Sequence, residues 1–206
     1  MSDDPYVYPG TTVLKNKLGI TDAKQLDYHE REITTQRARE GIPRGNFDLK
    51  HLQAIHKHLF QDVYAWAGKV RTVEISKNGS QFQFRQYIET GMADVHRRIK
   101  QAGYFQGTTR QKFAAEAGKI MGDVNYVHPF REGICRVQLC YQKQLAEKAG
   151  HRLDLQKIER KSWMEASRKA HNADYSAMTK SIERALGKER ERMEGRTRER
   201  DQERER

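Results

Sequence analysis

The sequence predicts an all-α fold that carries one small β-hairpin. Apolar residues recur at helical spacing through most of the chain, for example between residues 88 and 99, which is typical of amphipathic helices. One segment breaks this pattern, because residues 70–76 alternate in character and are followed by an Asn78-Gly79 turn, the usual signal of a hairpin. Two strands alone are only marginally stable, so we expect this hairpin to lie against the helices or to form an exposed edge.

Boundary signals support the predicted helices. The first is expected from Thr21 or Asp22 to Gly41, and the second begins after Asp48, which is well placed as an N-cap. Glycines follow some of the later apolar stripes, as they often do at helix ends. The later stripes cover residues 88–99 before Gly103, 113–124, 137–145 before Gly150, and 178–186.

Charge and composition divide the chain into two parts. Its 206 residues include 39 Lys and Arg against 28 Asp and Glu, a net charge of +11. Residues 187–206 contain no Leu, Ile, Val or Phe and carry eight basic and seven acidic side chains, a composition typical of a solvated helix or a disordered segment. We therefore expect a folded domain at 1–186, which is long enough to bury a core, and a charged low-complexity tail at 187–206.

Several classes of protein are excluded at this stage. No stretch approaches the roughly 18 apolar residues of a membrane span, and the start of the chain lacks the basic and apolar regions of a secretory signal. Cys135 and Cys140 lie five positions apart in a predicted helix, so they face different directions and a disulfide between them is not expected. We expect a cytoplasmic protein that does not bind membranes.

The loop at residues 128–136 combines the groups that phosphoryl- or nucleotidyl-transfer chemistry needs. His128 is a candidate base, because the unperturbed pKa of histidine lies near 6.5. Glu132 could bind a divalent metal ion, and Gly133 would let a phosphate approach the N–H groups at the start of a helix. Arg136 could add a charge-assisted phosphate contact. The alternative from these residues alone is a helix–loop–helix corner with a buried histidine and a turn made rigid by proline.

The residues from His128 to Gly133, His-Pro-Phe-Arg-Glu-Gly, resemble the start of the Fic family signature, His-Pro-Phe-x-Asp/Glu-Gly-Asn-Gly-Arg-x-x-Arg. The similarity extends along the chain. Residues 55–71 resemble the helix that leads into the Fic flap, residues 73–77 resemble the flap itself, and residues 4–10 resemble a common Fic N-terminus. The resemblance covers roughly residues 4–186.

Similarity to Fic proteins implies an all-helical domain with a β-hairpin flap, here at about residues 70–85, and a motif loop at 128–136. It also implies transfer of AMP from ATP, with Mg²⁺ as cofactor, to a Ser, Thr or Tyr hydroxyl of a target protein, with loss of pyrophosphate. By position in the signature, His128 would be the general base, Glu132 would bind Mg²⁺ and Phe130 would anchor the loop in the core. The phosphate-binding positions would be Gly133, Ile134, Cys135 and Arg136, and the flap positions that align the target by strand addition would be Val73, Glu74, Ile75, Ser76 and Lys77.

Three positions depart from the signature. Ile134 replaces the anion-hole Asn, Cys135 replaces the following Gly and Leu139 replaces the second Arg. The loss of one such donor or cation typically costs about 10²–10³ in rate. The resemblance therefore leaves a second possibility, a degenerate member with weak or altered nucleotide or phosphate transfer. Cys135 could also be a redox-active thiol, since a helix N-terminus lowers the pKa of a thiol, although a small apolar substitute is the simpler interpretation.

Fic proteins are commonly inhibited by a helix that carries Ser/Thr-x-x-x-Glu-Gly/Asn. No intact copy occurs in this sequence, because Gln36 stands four positions before Glu40-Gly41, and the Thr179–Glu183 pair is followed by arginine. The resemblance therefore implies a toxin that is controlled by a separate small antitoxin supplying the inhibitory helix.

Two other interpretations rest on composition and spacing. His51, His56 and His58 are five and two positions apart, so no pair has the i, i+4 spacing that places two imidazoles on one helix face for a metal ion. A basic body could bind nucleic acid, but the sequence has no recognition-helix pattern, RNA-binding aromatic motif or zinc knuckle. A basic nucleic-acid-binding module is therefore the alternative from another functional class.

Overall fold

The structure, a computed structural model, describes residues 4–77 and 79–187. These residues form seven α-helices and a two-stranded antiparallel hairpin, so the all-α prediction with a small hairpin is confirmed. The predicted tail lies outside the described residues beyond Gly187. The helices are α1 (Ala23–Arg39), α2 (Leu49–Phe60), α3 (Ile88–Gln101), α4 (Arg110–Val127), α5 (Ile134–Ala149), α6 (Arg160–His171) and α7 (Ser176–Ala185), and the strands are β1 (Ser76–Lys77) and β2 (Ser80–Gln81).

The helix ends follow the capping signals in the sequence. The Asp22 side chain accepts a hydrogen bond from the Gln25 N–H at 2.8 Å, and α1 starts directly after it. Asp48 caps α2 in the same way. Gly150 ends α5 in the left-handed conformation, with φ +90°, which costs glycine little because it has no Cβ.

Helix α4 lies at the centre of the bundle and packs against α3, α5, α6 and α7. Its contact with α7 is close: a Cβ at Gly118 would lie 2.6 Å from Thr179 Oγ1 and 3.1 Å from the Thr179 backbone N. Helices α4 and α5 also pack against each other, and the motif loop joins the end of the first to the start of the second. The packing of these two helices therefore fixes both ends of the loop that carries the predicted chemistry.

The hairpin is shorter than the sequence predicts. Residues 70–75 do not form a strand with residues 82–84. Instead, the Arg71 N–H donates to the Pro129 carbonyl at 2.9 Å, and the Gln83 N–H donates to the Tyr126 carbonyl at 3.0 Å. The backbone on both sides of the hairpin is therefore bonded to the end of α4 and to the motif loop, and the paired strands are limited to Ser76–Lys77 and Ser80–Gln81, with one further bond from the Phe82 N–H to the Ile75 carbonyl.

The paired residues of the hairpin are exposed or half-buried. The residues that flank it bond to the end of α4 and to the motif loop, so the hairpin lies against the helices, which is one of the two arrangements expected. Among the residues that the structure describes, no helix is long and apolar enough to cross a membrane.

Candidate active site

The motif loop makes two sharp turns between α4 and α5. His128 ends α4 in the left-handed conformation, with φ +46° and ψ 64°, and Gly133 precedes α5 with φ +85°. The second turn requires glycine for two reasons. Its φ is strained for an L side chain, and a Cβ there would lie 2.4 Å from Phe60 Cζ.

The orientation of His128 is fixed by a hydrogen bond on one ring nitrogen. Its Nδ1 lies 3.1 Å from the carbonyl oxygen of Asn125. Because a carbonyl only accepts hydrogen bonds, Nδ1 must carry the ring proton in the neutral imidazole. Nε2 is then left unprotonated, which is the form that a general base needs.

The surroundings of His128 keep it neutral. Burial lowers its pKa to about 4, and the positive charges of Arg71, Lys77 and Arg131 act in the same direction. The hydrogen bond with the Asn125 carbonyl raises the pKa but does not offset these effects. His128 is therefore unprotonated throughout the physiological pH range, in which an ordinary histidine titrates.

The start of α5 offers backbone N–H groups to an anion. The first N–H groups of a helix have no partner within the helix, and here the first residues are Ile134, Cys135 and Arg136. The Gly133 N–H donates to the Glu132 side chain at 2.9 Å. A phosphate at this helix end would meet fixed donors and the positive end of the helix dipole.

The three residues that depart from the Fic signature make apolar contacts in this structure. Ile134 is buried in the core, and Cys135 and Leu139 are half-buried against it. Burial raises the pKa of the Cys135 thiol, so this thiol is protonated at neutral pH. Both cysteines are free. These observations favour the interpretation of Cys135 as a small apolar residue over a redox-active thiol.

Glu132 is the exposed carboxylate of the motif loop. Within the described ranges, no group of three or more His, Cys, Asp or Glu side chains could hold a metal ion by itself. Mg²⁺ is usually bound by one or two carboxylates together with substrate phosphates and water. A single carboxylate beside a helix end that offers N–H groups to a phosphate fits that pattern.

Arg136 is positioned by α1, a contact that the sequence did not predict. Its Nη1 donates to Thr34 Oγ1 at 2.9 Å, and its Nη2 forms an ion pair with Glu30, which is 5% exposed. The guanidinium also lies 5.0 Å from the centre of the Phe60 ring. The Arg136 side chain remains about one-third exposed, so it could still reach a phosphate.

His56 supports the motif loop from α2. It is fully buried, with its ring 4.1 Å from Phe130 and 4.7 Å from Phe60 between centroids. Its Nδ1 accepts the Gly68 N–H at 2.8 Å, so its Nε2 carries the proton and donates to the Glu132 carbonyl at 3.1 Å. His56 is therefore a packing residue of the loop, and Phe130 is fully buried beside it.

Arg71 joins the hairpin to the motif loop. Its side chain is completely buried. Nε donates to the His128 carbonyl at 2.8 Å, Nη1 donates to the Val73 carbonyl at 2.8 Å, and Nη2 donates to the Gln83 carbonyl. Glu74 adds a carboxylate oxygen 3.3 Å from Nη1. One guanidinium thus connects both sides of the hairpin to the residue that carries the candidate base.

The N-terminal segment covers the outer side of the motif loop. Asp4 accepts two hydrogen bonds from the Arg131 guanidinium, at 2.7 and 3.0 Å. The Tyr6 hydroxyl accepts the Thr72 N–H at 3.1 Å. The segment therefore ties the loop to the base of the hairpin a second time.

The structure brings together the residues that the sequence selected in the motif loop. His128, Glu132, Gly133 and Arg136 all lie between the end of α4 and the first turn of α5. The predicted flap positions 73–77 lie next to them, tied by Arg71. Sequence reasoning missed Arg71, Glu30 and the contact of His56 with the motif loop, because nothing in the local pattern distinguishes these residues from ordinary helix and hairpin residues.

We expect Arg71→Met to loosen the hairpin and the motif loop together. Methionine fills a similar space but leaves the partly buried carbonyls of Val73, Gln83 and His128 without these donors, and each such loss costs up to about 1–3 kcal/mol. Hydrogen exchange should therefore accelerate by at least about tenfold at the amides of residues 71 and 83. Arg85→Met is the control, because Arg85 is 61% exposed and lies 3.8 Å from Glu74. Unchanged exchange at both amides in Arg71→Met would contradict the proposed connection.

Comparison with known proteins identifies the family. Residues 46–145 match the model of the Fic/DOC family. A probable protein adenylyltransferase of Sinorhizobium fredii is 35% identical over 185 residues, which cover 89% of this chain and 96% of the relative. A probable protein adenylyltransferase of Salmonella typhimurium is 34% identical over 91% of this chain and 94% of its own length.

A solved structure agrees with these relatives. The BepC protein of Bartonella tribocorum, a VirB-translocated effector crystallised with bound AMPPNP, superposes with a TM-score of 0.81 at 26% identity. The match covers 88% of this chain and 96% of that protein. The similarity to these proteins extends along most of the chain and includes the motif loop and the hairpin beside it. The chain therefore belongs to the Fic/DOC family.

Proposed function

We propose that this protein is a protein adenylyltransferase that transfers AMP from ATP to a hydroxyl group of a target protein. The observation that carries the proposal is the position of His128, a neutral imidazole whose free Nε2 lies at the loop before the phosphate-binding start of α5. The names of the relatives support AMP transfer, and the AMPPNP in the BepC structure supports a nucleotide substrate.

The proposed reaction is an in-line displacement at the α-phosphorus of ATP. His128 Nε2 accepts the proton of the target hydroxyl, and the hydroxyl oxygen forms a bond to the α-phosphorus. The bond between the α-phosphorus and the oxygen that bridges it to the β-phosphorus breaks, and pyrophosphate leaves with that oxygen. The products are an AMP–protein ester, pyrophosphate and a protonated His128.

The start of α5 and its neighbours would bind the nucleotide. The N–H groups of residues 134–136 would receive phosphate oxygens, and Arg136 would contact the triphosphate. Glu132 would hold Mg²⁺, which would neutralise phosphate charge when bound. The burial of Phe130 between α2 and the motif loop supports its role as an anchor.

The hairpin would align the target segment. Glu74, Ser76 and Lys77 are exposed and Val73 and Ile75 are half-buried, and the backbone of this segment could pair with an extended segment by strand addition. Because Arg71 bonds this hairpin to the His128 carbonyl, a target strand bound here would be held at a fixed distance from the base. The target protein is the proposed partner of this edge.

A second candidate function is weak or altered transfer from another nucleotide or phosphate donor. Two observations support it. Ile134, Cys135 and Leu139 are apolar, which leaves Arg136 as the single arginine at the two signature positions. That arginine is paired with the buried Glu30. A cation that is already paired contributes less net charge to a triphosphate. The donor preference of this protein could therefore differ from that of relatives with an intact signature.

We also propose that the protein acts in the cytoplasm as a toxin controlled by a separate antitoxin. The support is the lack of an intact inhibitory motif anywhere in the sequence. An antitoxin helix bound beside Arg136 would block the phosphate site. Because Leu139 replaces the second arginine of the signature, Arg136 is the signature arginine left for the inhibitory glutamate of that helix to contact.

The base assignment is tested with ATP radiolabelled at the α-phosphorus, incubated with the protein and a cell lysate. We expect His128→Ala to lower protein labelling by about 10²-fold or more, because the variant cannot accept the proton of the hydroxyl. His29→Ala is the matched control, since His29 is an exposed residue of α1, and it should label like the wild type. Equal labelling by His128→Ala and the wild type would contradict the assignment.

The three departures are tested by reversion. The combined variant Ile134→Asn, Cys135→Gly and Leu139→Arg restores the signature donors, and we expect its ATP-dependent labelling to rise by at least about tenfold. Adding His128→Ala to this variant should remove the gain. Circular dichroism checks that the polar Asn at a buried position leaves the helices intact. A folded revertant that labels no better than the wild type would contradict the effect assigned to these positions.

A further inference from the structure

Phe82 lies against the candidate base. It follows β2 directly, and its ring is stacked on the His128 imidazole with 3.9 Å between ring centres and 28° between ring planes. The side chain is 8% exposed. On its other side, Phe82 makes an edge-to-face contact with His171 at the end of α6, with 5.7 Å between ring centres.

The backbone around Phe82 holds the ring in place. The Phe82 N–H donates to the Ile75 carbonyl at 3.2 Å across the hairpin, and the next residue, Gln83, donates to Tyr126 at the end of α4. The Gln83 carbonyl accepts a hydrogen bond from the buried Arg71 guanidinium. The stacked position is therefore set by the same bonds that attach the hairpin to the motif loop.

The contact is selective for this aromatic residue. Phe84, two positions further along, is 53% exposed. Of the aromatic contacts found among the described residues, the one that involves His128 is the stack with Phe82. Two phenylalanines of the same segment thus differ in one respect: Phe82 stacks on the candidate base and Phe84 is exposed.

We propose that Phe82 is a positioning residue for His128: it holds the imidazole plane and keeps water from one face of the ring. The inference rests on the proposed function in so far as His128 is the general base. A ring stacked on one face leaves the edge of the imidazole free, so Nε2 remains open to the target hydroxyl. Nδ1 and the ring face are then both fixed, by Asn125 and Phe82, and the remaining freedom of the base is small.

The stack also affects how easily His128 becomes charged. A phenyl ring over the imidazole excludes water, and loss of water disfavours the protonated form. The other groups around His128 are the Asn125 carbonyl from α4, Arg71 and Lys77 from the hairpin, and Arg131 from the motif loop. These groups remain when Phe82 is replaced, so a replacement should remove part of the pKa depression and leave the rest.

The test is an NMR titration of the imidazole Cε1–H resonances in the full chain, with the His128 signal assigned by its loss in His128→Ala. We expect wild-type His128 to remain neutral down to about pH 5, consistent with its lowered pKa of about 4. In Phe82→Ala, which removes the ring and admits water to that face of the imidazole, the midpoint should rise by about one unit or more. Phe82→Tyr keeps the ring and should titrate like the wild type, as should the control Phe84→Ala.

A kinetic measurement provides the second readout. For labelling with α-labelled ATP, the acidic limb of the pH–rate profile should move to higher pH in Phe82→Ala, and kcat should fall while KM for ATP stays within about twofold. Superimposable His128 titrations in Phe82→Ala and the wild type, or an equal shift in Phe82→Tyr, would overturn the inference. The titration needs no catalysis, so an inactive wild type with a shifted midpoint in Phe82→Ala would refute AMP transfer and support the positioning contact.

Discussion

The arrangement of the site depends on one buried cation, the Arg71 guanidinium. A buried charge is costly unless each of its hydrogen-bond donors finds a partner, and Arg71 finds backbone carbonyls on both sides of the hairpin and on the motif loop, with the Glu74 carboxylate nearby. Because these partners lie on different segments, the guanidinium can be satisfied only when the hairpin and the motif loop are assembled together. The geometry between flap and base is thus coupled to the folding of the domain.

In the proposed function, the motif loop binds phosphate through backbone N–H groups more than through side-chain charge. Gly133 brings the start of α5 against Phe60 at a separation that excludes any Cβ, and in the proposed function the N–H groups that follow are the main phosphate donors. Arg136 is already paired with Glu30, and apolar residues fill the other signature positions. A nucleotide would therefore be recognised here chiefly by main-chain donors and by Mg²⁺ at Glu132, with His128 held neutral by burial.

The sequence was sufficient for the local features and insufficient for the long-range ones. The motif loop is contiguous, and the caps Asp22 and Asp48 act within three residues, so both could be predicted. The strand lengths could not, because the hairpin backbone bonds to α4 and the motif loop. His56 bonds to Glu132, which is 76 positions away, and Glu30 pairs with Arg136, which is 106 positions away. No periodicity or spacing in the sequence encodes such contacts.

The identity of the transferred group is the most direct test of AMP transfer by this loop. The wild-type chain is incubated with a lysate and ATP that carries the radiolabel at the α-phosphorus in one sample and at the γ-phosphorus in another. Attack at the α-phosphorus with pyrophosphate as the leaving group predicts that adding the chain to the lysate increases the label on protein from α-labelled ATP and not from γ-labelled ATP. An increase that depends on the chain and comes from the γ-phosphorus, or no increase from either position, would contradict it.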